Sequence, residues 1–357
     1  MNDLLKQYRD KIDAIDEQVL KLVNQRAQLA REIGNVKNGG PIYRPEREAQ
    51  VLRRLTENNT GPLSGDAVTA IFRAVMSNCR ALEKELTVAF LGPLGTFSEE
   101  AANKQFGGLS APLQCTSIDE VFRMVESGKA DYGVVPVENS TEGAVGHTLD
   151  LLMATSLNIC GEIALPIHHN LLSKSSSKDQ IKTVYAHSQS LAQCHQWLNA
   201  NLPHAERQAV VSNAEGARLA QEDGHQNVAA IASSRAAELF GLNTLVSNIE
   251  DDPKNTTRFL ILATHDVAPS GKDKTSLVVA TKNVPGAILE LLKPLAAEQV
   301  SLTKLESRPS RIGLWEYVFF VDIEGHHEDV AVSKALSELE KRSSLLKVLG
   351  SYPAAIV

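Results

Sequence analysis

The apolar positions of the first 86 residues recur every three or four, a period that predicts helices. Leu5, Ile12, Ile15, Val19, Leu22, Leu29, Ile33 and Val36 form one stripe along a proline-free run from Leu4 to Lys37. At ~1.5 Å per residue this run is about 50 Å long, more than two shorter helices can cover, so it predicts pairing between subunits. Pro41 and Pro45 mark a first turn, and Asn58, Asn59, Gly61 and Pro62 a second. Two further helices are therefore expected over 42–59 and 65–86. The last has its stripe at Val68, Ile71, Phe72, Val75, Cys79, Leu82 and Leu86.

Charge interrupts these stripes. Arg9 lies three before Ile12, Arg26 lies four after Leu22, and Lys37 stands at the edge of the same face. Glu83, four after Cys79, shares the inner face of the third helix. Snorkelling side chains would account for any one of them. Unpaired buried charges cost several kcal/mol each, so four in one small unit predict an anion between the helices.

From residue 87 the pattern changes to short apolar runs that end in polar loops. Thr87–Pro93, Tyr132–Val137 and Thr183–Ala186 read as strands, each followed by a helix. This alternation predicts an α/β unit with mainly parallel strands and a site where strand C-termini face helix N-termini, a place suited to anions. Residues 266–273, with Pro269, Ser270 and Gly271, read as a linker. Beyond it the order is a strand at 276–281, a helix from Pro285 to about Glu298, strands at 301–306 and 315–323, a helix at 328–342 and a strand at 345–350. That is a βαββαβ unit of α+β type. Three domains follow: 1–86, 87–266 and 274–357.

Composition narrows the function. The net charge of −7 disfavours a nucleic-acid partner. Residues 1–86 nevertheless hold 14 Lys and Arg against 12 Asp and Glu, so the helical segment is locally basic in an acidic chain, as an anion site requires. Cys79, Cys115, Cys160 and Cys194 form no C-x-x-C pair, so neither a metal site nor a disulfide framework is expected, and a reducing compartment is. With no apolar leader at residues 1–10 and no long apolar run, a cytoplasmic location is expected and a membrane partner is not.

Arg9, Arg26, Lys37, the Arg47-Glu48 pair and Glu83, at these spacings, resemble the all-helical chorismate mutase family across residues 1–86. The resemblance implies a three-helix unit that pairs as an intertwined dimer, with Arg9 donated across the interface. It implies that Arg9 and Arg26 hold the substrate carboxylates and that Lys37 bonds a carboxylate and the ether oxygen. Arg47 would help set the site, Glu48 would accept from the ring hydroxyl, and Cys79 and Glu83 would complete the lining. Many relatives carry Gln where this chain has Glu83, and only a protonated carboxyl could donate to the ether oxygen as that amide does. Arg44 stands where some relatives have Asp.

Gly92-Pro93-Leu94-Gly95-Thr96-Phe97-Ser98, Glu138-Asn139-Ser140-Thr141, His187-Ser188-Gln189 and Asn255-Thr256-Thr257-Arg258-Phe259, in that order, resemble prephenate dehydratase. The fold implied is two-lobed, like a periplasmic binding protein, with the site in the cleft. Thr257 takes the catalytic position and Arg258 stands beside a carboxylate. Thr96, Phe97, Ser98, Glu138, Asn139, Ser140, Thr141, His187 and Phe259 would line the cleft, with Glu138 and His187 as its titratable groups. Pro285-Gly286-Ala287-Ile288 and Glu306-Ser307-Arg308-Pro309 resemble the phenylalanine-binding motifs of ACT domains. Gly286 and Ala287 of one subunit, with Glu306, Ser307, Arg308 and Pro309 of its neighbour, are thus the expected effector site.

The family reading is a bifunctional enzyme with chorismate and prephenate as substrates, phenylalanine as effector, a homodimeric or larger assembly and no cofactor or metal. A dehydratase with a decayed mutase arm, and a non-catalytic amino-acid sensor, are the alternatives.

Overall fold

The computed structural model describes residues 2–36, 40–222, 227–282, 284–309 and 317–355. The chain opens with helices α1 (Asn2–Val36), α2 (Pro45–Glu57) and α3 (Gly65–Ala81). A first lobe holds β1 (Thr87–Leu91), α4 (Phe97–Phe106), β2 (Ala111–Cys115), α5 (Ile118–Glu126), β3 (Tyr132–Asn139), β4 (Gly143–Ala144), α6 (Gly146–Ala154) and β5 (Asn158–Pro166). A second lobe holds β6 (Asn170–Ser173), β7 (Thr183–His187), α7 (Ser188–Gln193), α8 (His195–Asn201), β8 (Glu206–Val210), α9 (Asn213–Glu222), β9 (Val228–Ala232), α10 (Ser234–Phe240) and β10 (Asn243–Val246). The chain then returns to the first lobe as β11 (Thr256–Ala263). It ends in β12 (Asp273–Ala280), α11 (Ala287–Ala297), β13 (Leu302–Pro309), β14 (Tyr317–Glu324), α12 (Val330–Arg342) and β15 (Leu345–Pro353), a βαββαβ unit as expected.

The two lobes are not mainly parallel. The first sheet runs β2-β1-β3-β11-β5, with β11 antiparallel to both its neighbours. The second runs β10-β6-β9-β7-β8, with β6 antiparallel to β9 and β10. Strands that carry the chain between lobes must enter each sheet from the far end, and no helix-by-helix alternation in sequence reports that reversal. The C-terminal sheet, β13-β14-β12-β15, is antiparallel throughout.

Three local expectations need correction. The third helix ends at Ala81: the N–H of Leu82 bonds the carbonyls of Cys79 and Arg80, and Glu83 lies in the turn beyond. Pro285 stands outside α11, because Gly286, at φ +82°, caps the helix that starts at Ala287. The α1 stripe is not buried within one chain. Leu5, Ile12, Ile15, Val19, Leu22, Leu29, Ile33 and Val36 are each more than half exposed.

The units share cores. Tyr43, just before α2, packs with Phe90, Phe106 and Tyr132 of the first lobe. Val278, Phe320, Leu349 and Tyr352 of the C-terminal unit join another first-lobe cluster. The linker is pinned as well, since Arg53 of α2 donates to the Ser270 carbonyl at 3.2 Å. Gly350 of β15, at φ +150°, lies so close to β5 that a Cβ there would stand 2.2 Å from the Ile159 carbonyl oxygen. Backbone cannot retreat as a side chain can. Gly350→Ala should therefore lower the unfolding free energy by about 2 kcal/mol or more, read from urea denaturation.

Candidate active sites

The cleft between the lobes encloses about 660 Å³. The first lobe contributes Thr96, Phe97, Ser98, Asn139 and Thr257, and the second contributes His187, Gln189, Ser190, Gln193 and Asn213. Thr96 is in place because it caps α4, its hydroxyl accepting from the Glu99 N–H. His187 caps α7 through Nδ1, which accepts from the Gln189 N–H at 3.4 Å.

A network of amides fixes Thr257. Asn139 Oδ1 accepts from the Thr141 N–H, the Thr141 hydroxyl and the Glu142 N–H. That orientation aims Asn139 Nδ2 at Thr257 Oγ1, 2.9 Å away, and at Asn255 Oδ1, 2.8 Å away. Thr257 accepts this bond, which leaves its own proton to donate into the cleft. Gln193 of the second lobe closes the network. It donates to Thr141 Oγ1 at 3.2 Å and accepts from Asn255 Nδ2 and, at 2.9 Å, from the imidazole of His169.

Gln193 and His169 were not found from sequence, because neither sits in a strand-end motif; only folding brings them to the cleft. His169 is buried edge-on to Phe97, and burial holds its pKa below the usual histidine value. Its Nε2 donates to Gln193 Oε1, and burial disfavours a charged ring.

Several residues expected in the cleft lie elsewhere. Side chains alternate along a strand, so Arg258 points away from Thr257. Its guanidinium bonds Glu162 at 2.7 Å, Asp322 at 2.6 Å and the Tyr352 hydroxyl at 2.9 Å, at the joint with the C-terminal unit. Glu138 faces the same joint, bonded by Lys304 at 2.7 Å. Phe259 is core. Ser140 is exposed and accepts from the Thr256 N–H, and Thr141 acts through Asn139.

A second cavity, of about 690 Å³, lies among the N-terminal helices. Arg26 and Ile33 of α1, Arg47 and Glu48 of α2, Arg80 of α3, and Glu83 line it. Glu83 is held against Gly34, where a Cβ would meet its Cγ at 3.0 Å. Glu48 is buried and bonded to Arg80. Arg44 is exposed and pairs with Glu46. Cys79 is buried in the helical packing rather than in the cavity wall. Arg9 is exposed, 17 residues before Arg26 on one straight helix. Lys37 lies outside the described residues.

A third cavity, of about 370 Å³, is lined by Gly286, Ala287, Ser307, Tyr317 and Phe319. Strand alternation turns Arg308 to the opposite face of β13, where it bonds Asp150 at 3.0 Å and the Gly146 carbonyl at 3.2 Å. Glu306 shares that face by register, and Pro309 pairs with Tyr317 at the strand end. Among the described residues there is no cluster of metal-ligating side chains, and no helix long and apolar enough to cross a membrane.

The family model described as Prephenate dehydratase matches residues 88–267, Chorismate mutase type II matches 8–84, and ACT domain matches 275–341. A protein of Neisseria gonorrhoeae named bifunctional chorismate mutase/prephenate dehydratase is 52% identical over 358 residues, covering 100% of this chain and 99% of its own. The chain belongs to the bifunctional chorismate mutase/prephenate dehydratase family. A relative of the same name from Stutzerimonas stutzeri is 48% identical, with 99% of each chain covered. The prephenate dehydratase of Arthrobacter aurescens, solved in complex with L-Phe, is similar in structure with a TM-score of 0.69 and 36% identity. It covers 75% of this chain and 90% of its own.

Thr257→Ala removes a cleft hydroxyl whose proton the Asn139 amide leaves free to donate. Prephenate turnover should fall about 100-fold or more. Chorismate supplied to this variant should accumulate as prephenate, followed by the ultraviolet absorbance of the two acids. Undiminished phenylpyruvate formation would remove Thr257 from the reaction.

Proposed function

We propose that this chain converts chorismate to prephenate in the helical cavity and prephenate to phenylpyruvate in the interlobe cleft, under feedback inhibition by phenylalanine. The observation that carries the second step is the Thr257 hydroxyl, committed by Asn139 to donate into a cleft bordered by helix N-termini. Loss of the ring carboxylate as CO2 pushes its electron pair into the ring and expels the para hydroxyl, which leaves as water once protonated. Thr257 is too weak an acid to originate that proton. It orients the departing hydroxyl or relays a proton to it, and His187 is a titratable side chain on the cleft wall that fits the role of donor. The free N–H groups at the starts of α4, α7 and α9 suit the substrate carboxylates.

The first step needs neither nucleophile nor proton transfer. It requires the enolpyruvyl arm folded over the ring, with cations beside the oxygen that gains charge as the ether bond breaks. Arg26, Arg47 and Lys37 fit that need, with Glu48 toward the ring hydroxyl. Arg9 cannot join them in one chain. Seventeen residues of helix span about 25 Å, far more than the substrate. The chain therefore works as a homodimer or larger assembly, with α1 of one subunit laid along another and its exposed apolar stripe covered there. The domain limits 1–86, 87–266 and 274–357 fit this division of labour, and four free cysteines suit the cytoplasm.

Phenylalanine suits the 370 Å³ cavity, where Gly286-Ala287 and Ser307 of one chain already meet, rather than needing the two motifs from different subunits. The back of β13 offers the route to the cleft, because Lys304 and Arg308 hold Glu138 and Asp150 of the first lobe. Inhibition then means that phenylalanine binds a less active state more tightly. Arg308→Ala should leave phenylalanine binding measurable by calorimetry while raising the concentration needed to inhibit several-fold. Unchanged inhibition would remove this route.

Supplying chorismate to the purified protein and following its loss together with phenylpyruvate formation tests the whole reading; no consumption of either substrate would leave the sensor alternative. Complementation tests the shared site. Arg9→Ala and Arg26→Ala should each abolish mutase activity, yet an equal mixture refolded together should recover about a quarter of wild-type activity. Half of its dimers are mixed, and each of those holds one intact site. No recovery would mean that both arginines serve one chain.

A further inference from the structure

A buried polar cluster joins the mutase cavity to the dehydratase unit. Glu48 is only 8% exposed and lines both the 690 Å³ cavity and a small one of about 50 Å³ behind it. Its Oε2 accepts from Arg80 Nη1 at 3.0 Å, and its Oε1 accepts from Gln105 Nε2 at 3.1 Å. Gln105 belongs to α4, the helix whose other end carries Phe97 and Ser98 into the dehydratase cleft. Its amide also donates to the Tyr43 hydroxyl at 2.6 Å, so both its hydrogens are committed and its orientation is set. Arg80 is anchored in turn by the Gln105 and Phe106 carbonyls and lies over the Tyr43 ring.

A competitor stands next to this arrangement. Arg73 Nε is buried without a hydrogen-bond partner, 3.7 Å from the same Glu48 oxygen. Gln105 and Arg73 both line the small cavity, so a carboxylate released by Gln105 would close on Arg73 and lose the orientation in which Arg80 and Gln105 hold it. Held by Gln105, Oε1 keeps one lone pair free for another donor.

We propose that Gln105, a residue of the dehydratase unit, is a positioning residue of the mutase, holding the Glu48 carboxylate toward the substrate hydroxyl and away from Arg73. The proposal rests on the assignment of Glu48 to that hydroxyl. It predicts that mutase efficiency depends on a side chain outside the helical unit.

The test compares wild type, Gln105→Met, Gln105→Glu, Glu48→Ala and the Gln105→Met/Glu48→Ala double variant as full-length proteins. Each is assayed with chorismate and, separately, with supplied prephenate. Gln105→Met keeps the buried volume but not the donor, so mutase kcat/KM should fall about tenfold, the scale of one lost bond to a charged group. Prephenate turnover should stay within about twofold in the same protein. In the Glu48→Ala background, Gln105→Met should cost the mutase nothing further.

Gln105→Glu preserves shape and, if the Met variant fails to fold, stands in for it. The introduced carboxyl faces Glu48, Tyr43, Arg80 and Arg73. Ionised, it repels Glu48; protonated, its single hydrogen restores the bond to Glu48 though not the one to Tyr43. Mutase activity of this variant relative to wild type should therefore rise as pH falls. Wild-type mutase kinetics in folded Gln105→Met, the same loss in both backgrounds, a parallel loss of both activities, or a pH-independent ratio for Gln105→Glu would each overturn the proposal. Wild-type mutase activity in Glu48→Ala would instead overturn the assignment of Glu48 on which it rests.

Discussion

The alternation of side chains along β11 is the constraint around which the catalytic and regulatory parts are arranged. Thr257 faces the cleft, so Arg258 must face the other side of the sheet. There it meets Glu162, Asp322 and the Tyr352 hydroxyl, and Lys274 shares Glu162 at 2.8 Å. Burial opposes the charged guanidinium, yet the surrounding carboxylates and the Tyr352 oxygen outweigh it and raise its pKa. Such a network adds little net stability, because desolvation offsets most of the attraction. What it supplies is register. The cleft threonine and the C-terminal unit are fastened to adjacent residues of one strand, so a shift of that unit reaches Thr257 through a single peptide link.

The same economy of position operates on β13. Ser307 turns to the 370 Å³ cavity, while Lys304 and Arg308 turn to the first lobe. A strand with a cavity on one face and salt bridges on the other joins the two units mechanically. Coupling needs such an element, because a ligand shifts an equilibrium only by its difference in affinity between the two states.

The helical unit follows a different rule. The unit keeps Arg9 about 25 Å from Arg26 along α1 and leaves the apolar stripe of that helix uncovered within the chain. Its inner wall is also not its own, because Glu48 is tied through Gln105 and Arg80 to the first lobe and Tyr43 is buried in that lobe's core. The three units therefore form one body joined by shared cores and polar contacts, rather than beads on linkers. The pinned segment at Pro269 and Ser270 belongs to the same set of joints.

The sequence alone determined the kinds of element and the chemistry on offer. Helical periodicity marked α1 to α3, short apolar runs marked the strands β1, β3 and β7, and the motifs that resemble prephenate dehydratase named Thr96, Asn139, His187 and Thr257. These signals are local, since periodicity and apolar runs depend on neighbours within a turn or two. Tertiary structure decided which side each residue faces and what it meets. It sent Arg258 and Glu138 to the C-terminal joint, ended α3 before Glu83, and reversed strands that read as parallel. It also brought His169, Gln193 and Gln105 to sites no motif had linked them with. Their partners stand 24 to 62 residues away in the chain, and hydrogen bonds across such separations exist only once the sheets have packed.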